Sequence, residues 1–248
     1  MSGCTVVSAE QPKSNLLVKR QRLENSQANP AVDARDLDAK MITIQPPLQS
    51  KTRPSYRYSI LKRADMDNKD LRVQVQYPGK IPFEIDNKKD SASISFCVTL
   101  LHEEEIAKLY AFQTDIIKKA CEMKSKLWPN QSLTDAQVKQ NFNPWIRIDD
   151  KKEDTDDLWP PKIKLHIPMD KNNMEMIKCD IRDHEQKNLP YNQLKKNDKV
   201  EKLMFELSNL YYLQLGAWGI KCKLFNMEMG QNDEIETPET IPWNPRTY

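Results

Sequence analysis

Residues 200–229, VEKLMFELSNLYYLQLGAWGIKCKLFNMEM, decide the fold. Strands are predicted at 200–207, 210–215 and 220–229, and in the last of these Lys221 and Lys223 alternate with Ile220, Cys222 and Leu224. A period of two makes one face apolar and the other cationic. Residues 230–248 follow as an acidic tail, with Asp233, Glu234, Glu236 and Glu239 against the single cation Arg246, and with Trp243 and Tyr248 as apolar handles. Such a tail has the character of a detachable mimic of nucleic acid.

Upstream, residues 162–167 repeat the strand logic: Ile163, Leu165 and Ile167 point inward while Lys162, Lys164 and His166 point outward. Outward neighbours on a strand stand about 6 to 7 Å apart, an interval close to the phosphate repeat of an extended single strand. Further strands are predicted at 56–62, at 71–77, at 94–100, where Ile94, Phe96, Val98 and Leu100 alternate with Ser95, Cys97 and Thr99, and at 174–181. Between them a helix is predicted over 103–127, with Glu103, Glu104 and Glu105 at its positive end and Lys118, Lys119, Lys124 and Lys126 toward its negative end. A shorter helix is expected over 133–140, capped by Ser132 or Thr134. Residues 1–54, broken by Pro12, Pro30, Pro46, Pro47 and Pro54, read as a flexible arm carrying a small basic cluster at Lys19, Arg20 and Arg22. The expected architecture is therefore mainly β, an OB-like barrel over 55–229 with one long helix, flanked by the arm and the tail.

Bulk charge decides little, since a net charge of +2 and a pI of about 8.1 are too mild to imply nucleic acid. The five cysteines form no close pair, which predicts free thiols in a reducing, intracellular compartment. Neither a membrane span nor a signal-peptide core is present, so no membrane association is expected. With five glycines, none in a phosphate-binding pattern, and no nucleophile elbow, kinase signature or zinc helix, the chain is read as a binding protein without cofactor or catalytic residues.

Rings interleaved with cations supply the second candidate for a nucleic-acid surface: Tyr56, Arg57 and Tyr58, then Trp145, Arg147 and Trp159. Bases stack on such rings at about 1 to 3 kcal/mol each, while guanidinium groups hold phosphates. Trp128 and Trp159, each followed by proline, fit packing at element ends instead. The acidic run Asp149, Asp150, Glu153, Asp154, Asp156 and Asp157 offers hard oxygen ligands for a divalent cation and hence an enzyme as an alternative. Lys151 and Lys152 within it favour a solvated loop. A scaffold or virion protein, with its rings buried against a partner, is the other alternative.

The segments Leu203-Met204-Phe205-Glu206-Leu207, Leu210-Tyr211-Tyr212 and Gly216-Ala217-Trp218-Gly219-Ile220-Lys221-Cys222-Lys223-Leu224 resemble the closing strands of single-stranded DNA-binding proteins of large double-stranded DNA viruses, themselves similar to OB-fold phage replication binders. The resemblance is one of layout and covers residues 56–248. It implies nonspecific coating of unpaired DNA in replication or recombination, and recruitment of replication proteins through the tail. By position it implies groove cations at Lys162, Lys164, Lys221 and Lys223 and stacking rings at Tyr58 and Trp145. The tail departs from the pattern, being less densely acidic and containing Pro238, Pro242 and Pro245.

Overall fold

The computed structural model describes residues 29–51, 56–65, 70–85, 93–148, 160–169, 177–213 and 216–231. The described residues from Ala31 onward belong to one compact unit, and residues 29 and 30 fall outside it. The described strands are β1 (Val32–Asp33), β2 (Ile42–Ile44), β3 (Leu48–Gln49), β4 (Arg57–Arg63), β5 (Leu71–Val75), β6 (Ser93–Thr99), β7 (Phe142–Asn143), β8 (Ile146–Arg147), β9 (Lys162–Pro168), β10 (Asp180–Arg182), β11 (Val200–Tyr212) and β12 (Trp218–Met229). The α-helices among the described residues are α1 (Glu103–Glu122), α2 (Lys124–Leu127) and α3 (Asp135–Gln140), all placed between β6 and β9.

Five strands close on themselves. β5 pairs antiparallel with β11, β11 antiparallel with β12, β12 parallel with β9, and β9 antiparallel with β6. The chain just beyond β5 then meets the end of β6: Gly79 N donates to Thr99 O at 2.8 Å, Thr99 N to Lys80 O at 2.9 Å and Leu101 N to Tyr77 O at 3.3 Å. Numbered along the chain, the circuit runs 1-2-3-5-4-1, the Greek-key order of an OB-like barrel, with the helices inserted between its second and third strands. Val73, Val98, Ile163, Leu165, Phe205, Leu207 and Cys222 fill the interior.

The alternation at the closing strands carries a phase change. Leu203, Phe205 and Leu207 point inward, and so do Leu210 and Tyr212, because the register shifts between Leu207 and Asn209. The bulge buries Ser208, whose hydroxyl donates to Lys221 O at 3.1 Å. The two strands expected at 200–207 and 210–215 are thus one bulged strand.

Folded structure also begins earlier than the predicted arm boundary. Residues 31–51, assigned above to a flexible arm, carry β1 to β3 and two 3-10 turns, and they bury Ala34, Leu37, Ala39, Ile42 and Ile44. Asp33 and Asp38 cap the turns by accepting from Arg35 N and Lys40 N at 2.9 and 2.7 Å. Lys119 of α1 fixes the segment by donating to Ala39 O and Ile42 O at 2.6 and 3.1 Å. Prolines at 46 and 47 interrupt strands here without preventing pairing, because β2 and β3 lie on either side of them.

α1 is the spine that sets the inserted elements against the barrel. Its buried Glu105 accepts from Gln76 N at 2.6 Å and Tyr77 N at 3.2 Å, just beyond β5. Burial pushes that carboxyl up, while the two backbone donors pull it back. One helix was expected over 103–127; the chain breaks it at Met123 into α1 and α2. α3 starts at a capping box between Thr134 and Gln137, as the predicted cap requires. Gln113, buried at mid-helix, accepts from Trp145 N and Ile146 N at 3.1 Å each and donates to Ile146 O at 3.4 Å, which holds β8 in place. Replacing Gln113 with Leu strands these backbone groups in an apolar setting, and urea denaturation is expected to show a loss of about 3 kcal/mol.

Candidate nucleic-acid interface

The outward positions of β9 and β12 share one face. The parallel register sets Lys223 opposite His166, and the lysines at 221 and 223 follow each other on β12 just as Lys164 and His166 do on β9. Lys164, His166, Lys221 and Lys223 are all half-buried, standing on the outside of the barrel. Cys97 and Ser95 of β6 continue the face beside Lys164 and His166. On the other side, β11 contributes Asn209 opposite Lys221 and Glu206 opposite Lys223. Glu206 is held by the Arg72 guanidinium, whose Nε donates to Oε1 at 2.8 Å.

His166 is not a cation here. Burial, with repulsion from Lys221 and then Lys164, lowers its pKa to about 4, and its Nδ1 is buried without a hydrogen-bond partner. The ring is therefore neutral at pH 7, a correction to its reading as part of a cationic face. Lys162 is a second correction. It is 4% exposed, lies between β6 and β8 in register with Thr99 and Arg147, and places Nζ 5.1 Å from the centre of the Phe83 ring. The short strand β8 covers this end of β9, which alternation within β9 gives no sign of.

Trp145 is the third correction. At 2% exposure, it packs against Phe112 and Phe205 with centroids at 6.5 and 5.6 Å, and it presents no ring to a ligand. Trp128 is buried against Tyr212 and Trp218, as its place at a helix end led one to expect. Tyr56 and Tyr58 stack on each other at 6.1 Å and are half-buried, and Asn209 Nδ2 donates to Tyr56 Oη at 3.4 Å. Arg57 donates to Leu127 O at 3.2 Å, at the end of α2. Arg147 stands in β8, half-buried, close enough to favour the ionised form of the Tyr211 hydroxyl against the upward push of burial.

Sequence reasoning missed Tyr211, which pairs with Tyr58 across β4 and β11 and with Gly219 across β12. Its hydroxyl accepts from Asn143 Nδ2 at 2.9 Å and lies where a Cβ on Gly219 would approach it to 2.7 Å. Phe225 was missed as well, although it continues the outward parity of Lys221 and Lys223. Trp159, the acidic run 149–157 and the tail residues Asp233, Glu234, Glu236, Glu239, Trp243 and Tyr248 lie outside the described residues. Among the described residues no cluster of His, Cys, Asp and Glu is placed to hold a metal ion.

No protein-family model matches the chain, and no curated protein matches it. Solved structures similar to it are phage single-stranded DNA-binding proteins. One is that of bacteriophage Enc34 in complex with ssDNA, at 12% identity and a TM-score of 0.37, covering 77% of this chain and 97% of that one. Another is gp2.5, encoded by bacteriophage T7, at 14% identity and a TM-score of 0.39, covering 68% of this chain and 97% of that one.

The depressed His166 pKa has a consequence for stability. In the unfolded chain the imidazole takes up a proton near pH 6.5, whereas in the folded chain it does so only near 4. Stability from this group is fully present above 6.5 and is lost as pH falls toward 4, by about 3 kcal/mol. Denaturation midpoints measured across that window are expected to fall less steeply in His166→Asn.

Proposed function

We propose that the chain binds single-stranded DNA, without sequence preference, across the outer face of β6, β9 and β12. The observation that carries this reading is the convergence of Lys164, Lys221 and Lys223 from two neighbouring strands onto one face, where Glu206, the register partner of Lys223, is held by Arg72. Lysines in such a row supply the phosphate attraction that dominates sequence-independent affinity. Five-stranded barrels of this circuit take oligonucleotides on their second and third strands, here β6 and β9, which adds fold-level support to the placement.

Stacking belongs to the tyrosines at the edge of the face. Tyr58 and Tyr211 are cross-strand neighbours, half-buried, with Tyr56 stacked on Tyr58 and Arg147 near Tyr211. They replace Trp145 in the expected role. A protein with these properties coats unpaired DNA during replication or recombination, and its function requires no catalytic group. The five cysteines, with no close pair along the sequence, favour a reducing, intracellular setting.

The acidic tail is proposed to compete for the same lysines when DNA is absent and to recruit replication proteins when it is displaced. Tethering gives a competing segment a high effective concentration. Removing residues 232–248 is expected to tighten oligonucleotide binding at low salt, and unchanged or weaker binding overturns the competition.

The test of the main reading is anisotropy of a fluorescein-labelled oligothymidylate titrated with protein at several salt concentrations. Three phosphate contacts predict a slope of about −2 for log affinity against log salt. Substituting Lys164, Lys221 or Lys223 singly with Gln is expected to reduce the slope by about 0.7 each. The same change at buried Lys162 is expected to leave the slope alone. Salt-independent binding, or none, overturns the reading.

A further inference from the structure

We propose that Phe225 is a base-stacking platform at the far end of the lysine row, and that Arg72 is the residue that positions it; this rests on the single-stranded DNA reading of the same face. Gly219, Lys221 and Lys223 are successive outward positions of β12, about 6.6 Å apart, and Phe225 follows them on the same side at a bulge opposite Met204 and Phe205. The Tyr211 hydroxyl lies over Gly219 at one end, and Phe225 stands at the other. Two rings therefore bracket two ammonium groups over about 20 Å. An extended single strand covers that span in roughly three nucleotides.

Phe225 has no role in the core. It is half-buried, and it belongs neither to the buried cluster nor to the apolar side chains packed against that cluster. A large apolar ring left on a row of lysines is more informative than any buried one. Beside it the Arg72 guanidinium carbon sits 3.8 Å from the ring centre. Arg72 is itself buried and is fixed by Glu206, its register partner on β11. The ring thus rests on a cation that cannot drift, and its orientation is set before a ligand arrives.

Two physical effects follow from that arrangement. A base stacking on a pre-set ring sacrifices little side-chain freedom. The guanidinium polarises the ring and is balanced by the Glu206 carboxylate, so the platform adds stacking without adding a further phosphate contact. It should therefore act on affinity and leave salt dependence unchanged, which separates it from the lysines.

The experiment uses the full chain and the labelled oligothymidylate. Phe225→Leu is expected to weaken binding about tenfold at every salt concentration with the slope unchanged, and Phe225→Tyr to retain binding. The double variant Arg72→Met with Glu206→Gln, which leaves no buried charge unpaired, is expected to show the same loss and to add nothing to Phe225→Leu. Undiminished binding by Phe225→Leu overturns the platform while leaving the lysine site standing. A change in slope equal to that of Lys223→Gln also overturns it, because the ring would then act by placing Lys223. If the unaltered chain binds no oligothymidylate, the reading of the face falls and the platform falls with it.

Discussion

The barrel depends on a meeting of three backbones at Gly79. Its N–H donates to Thr99 O and its carbonyl accepts from Val200 N, both at 2.8 Å, so one residue ties the end of β6 to the start of β11. A Cβ there would lie 2.2 Å from Thr99 Oγ1, a hydroxyl already engaged with Lys80 N and Lys80 O. Only glycine fits this approach. Without it the sheet would have two open edges, β9 and β12 would lose the curvature that turns their lysines to one side, and the barrel interior would open to water.

Burial, more than residue type, decides which outward groups on β9 present a charge to solvent. Lys162, Lys164 and His166 have the same parity in the same strand. The first is covered by β8 and Phe83, the second is half-exposed beside Cys97, and the third loses its proton to desolvation and two neighbouring ammonium groups. A row of three outward groups in the sequence is one accessible cation, one covered cation and one neutral ring in the fold. The face regains its charge from Lys221 and Lys223, because parallel pairing brings β12 alongside.

Much of the architecture was legible because it is written in local periods. Alternation marked β6, β9 and β12, and the acidic start and basic end of the 103–127 segment marked its helix. What stayed hidden were properties of pairing. The 31–51 segment looks like a tail because its apolar residues are few, yet each of its inward side chains finds a place against β4, β5 or α1. The bulge at Ser208 split one strand into two apparent runs by shifting the phase of its apolar residues. Trp145 next to Arg147 reads as a surface pair, but Gln113 pins its backbone inward from a helix some thirty residues earlier.

Trp128, Trp145 and Trp218 all lie within the core, each 2% exposed or less. Their excitation at the red edge of protein absorbance will follow the integrity of the packed interior, with Trp218 Nε1 bonded to Val138 O at 2.7 Å as a reporter on the seating of α3. With Trp159 and Trp243 replaced by Phe, the optical signature of folding would be kept physically apart from the chemistry of the outer face, so that a substitution on the lysine face leaves the interior's own spectroscopic fingerprint as an internal reference for whether the molecule is still intact.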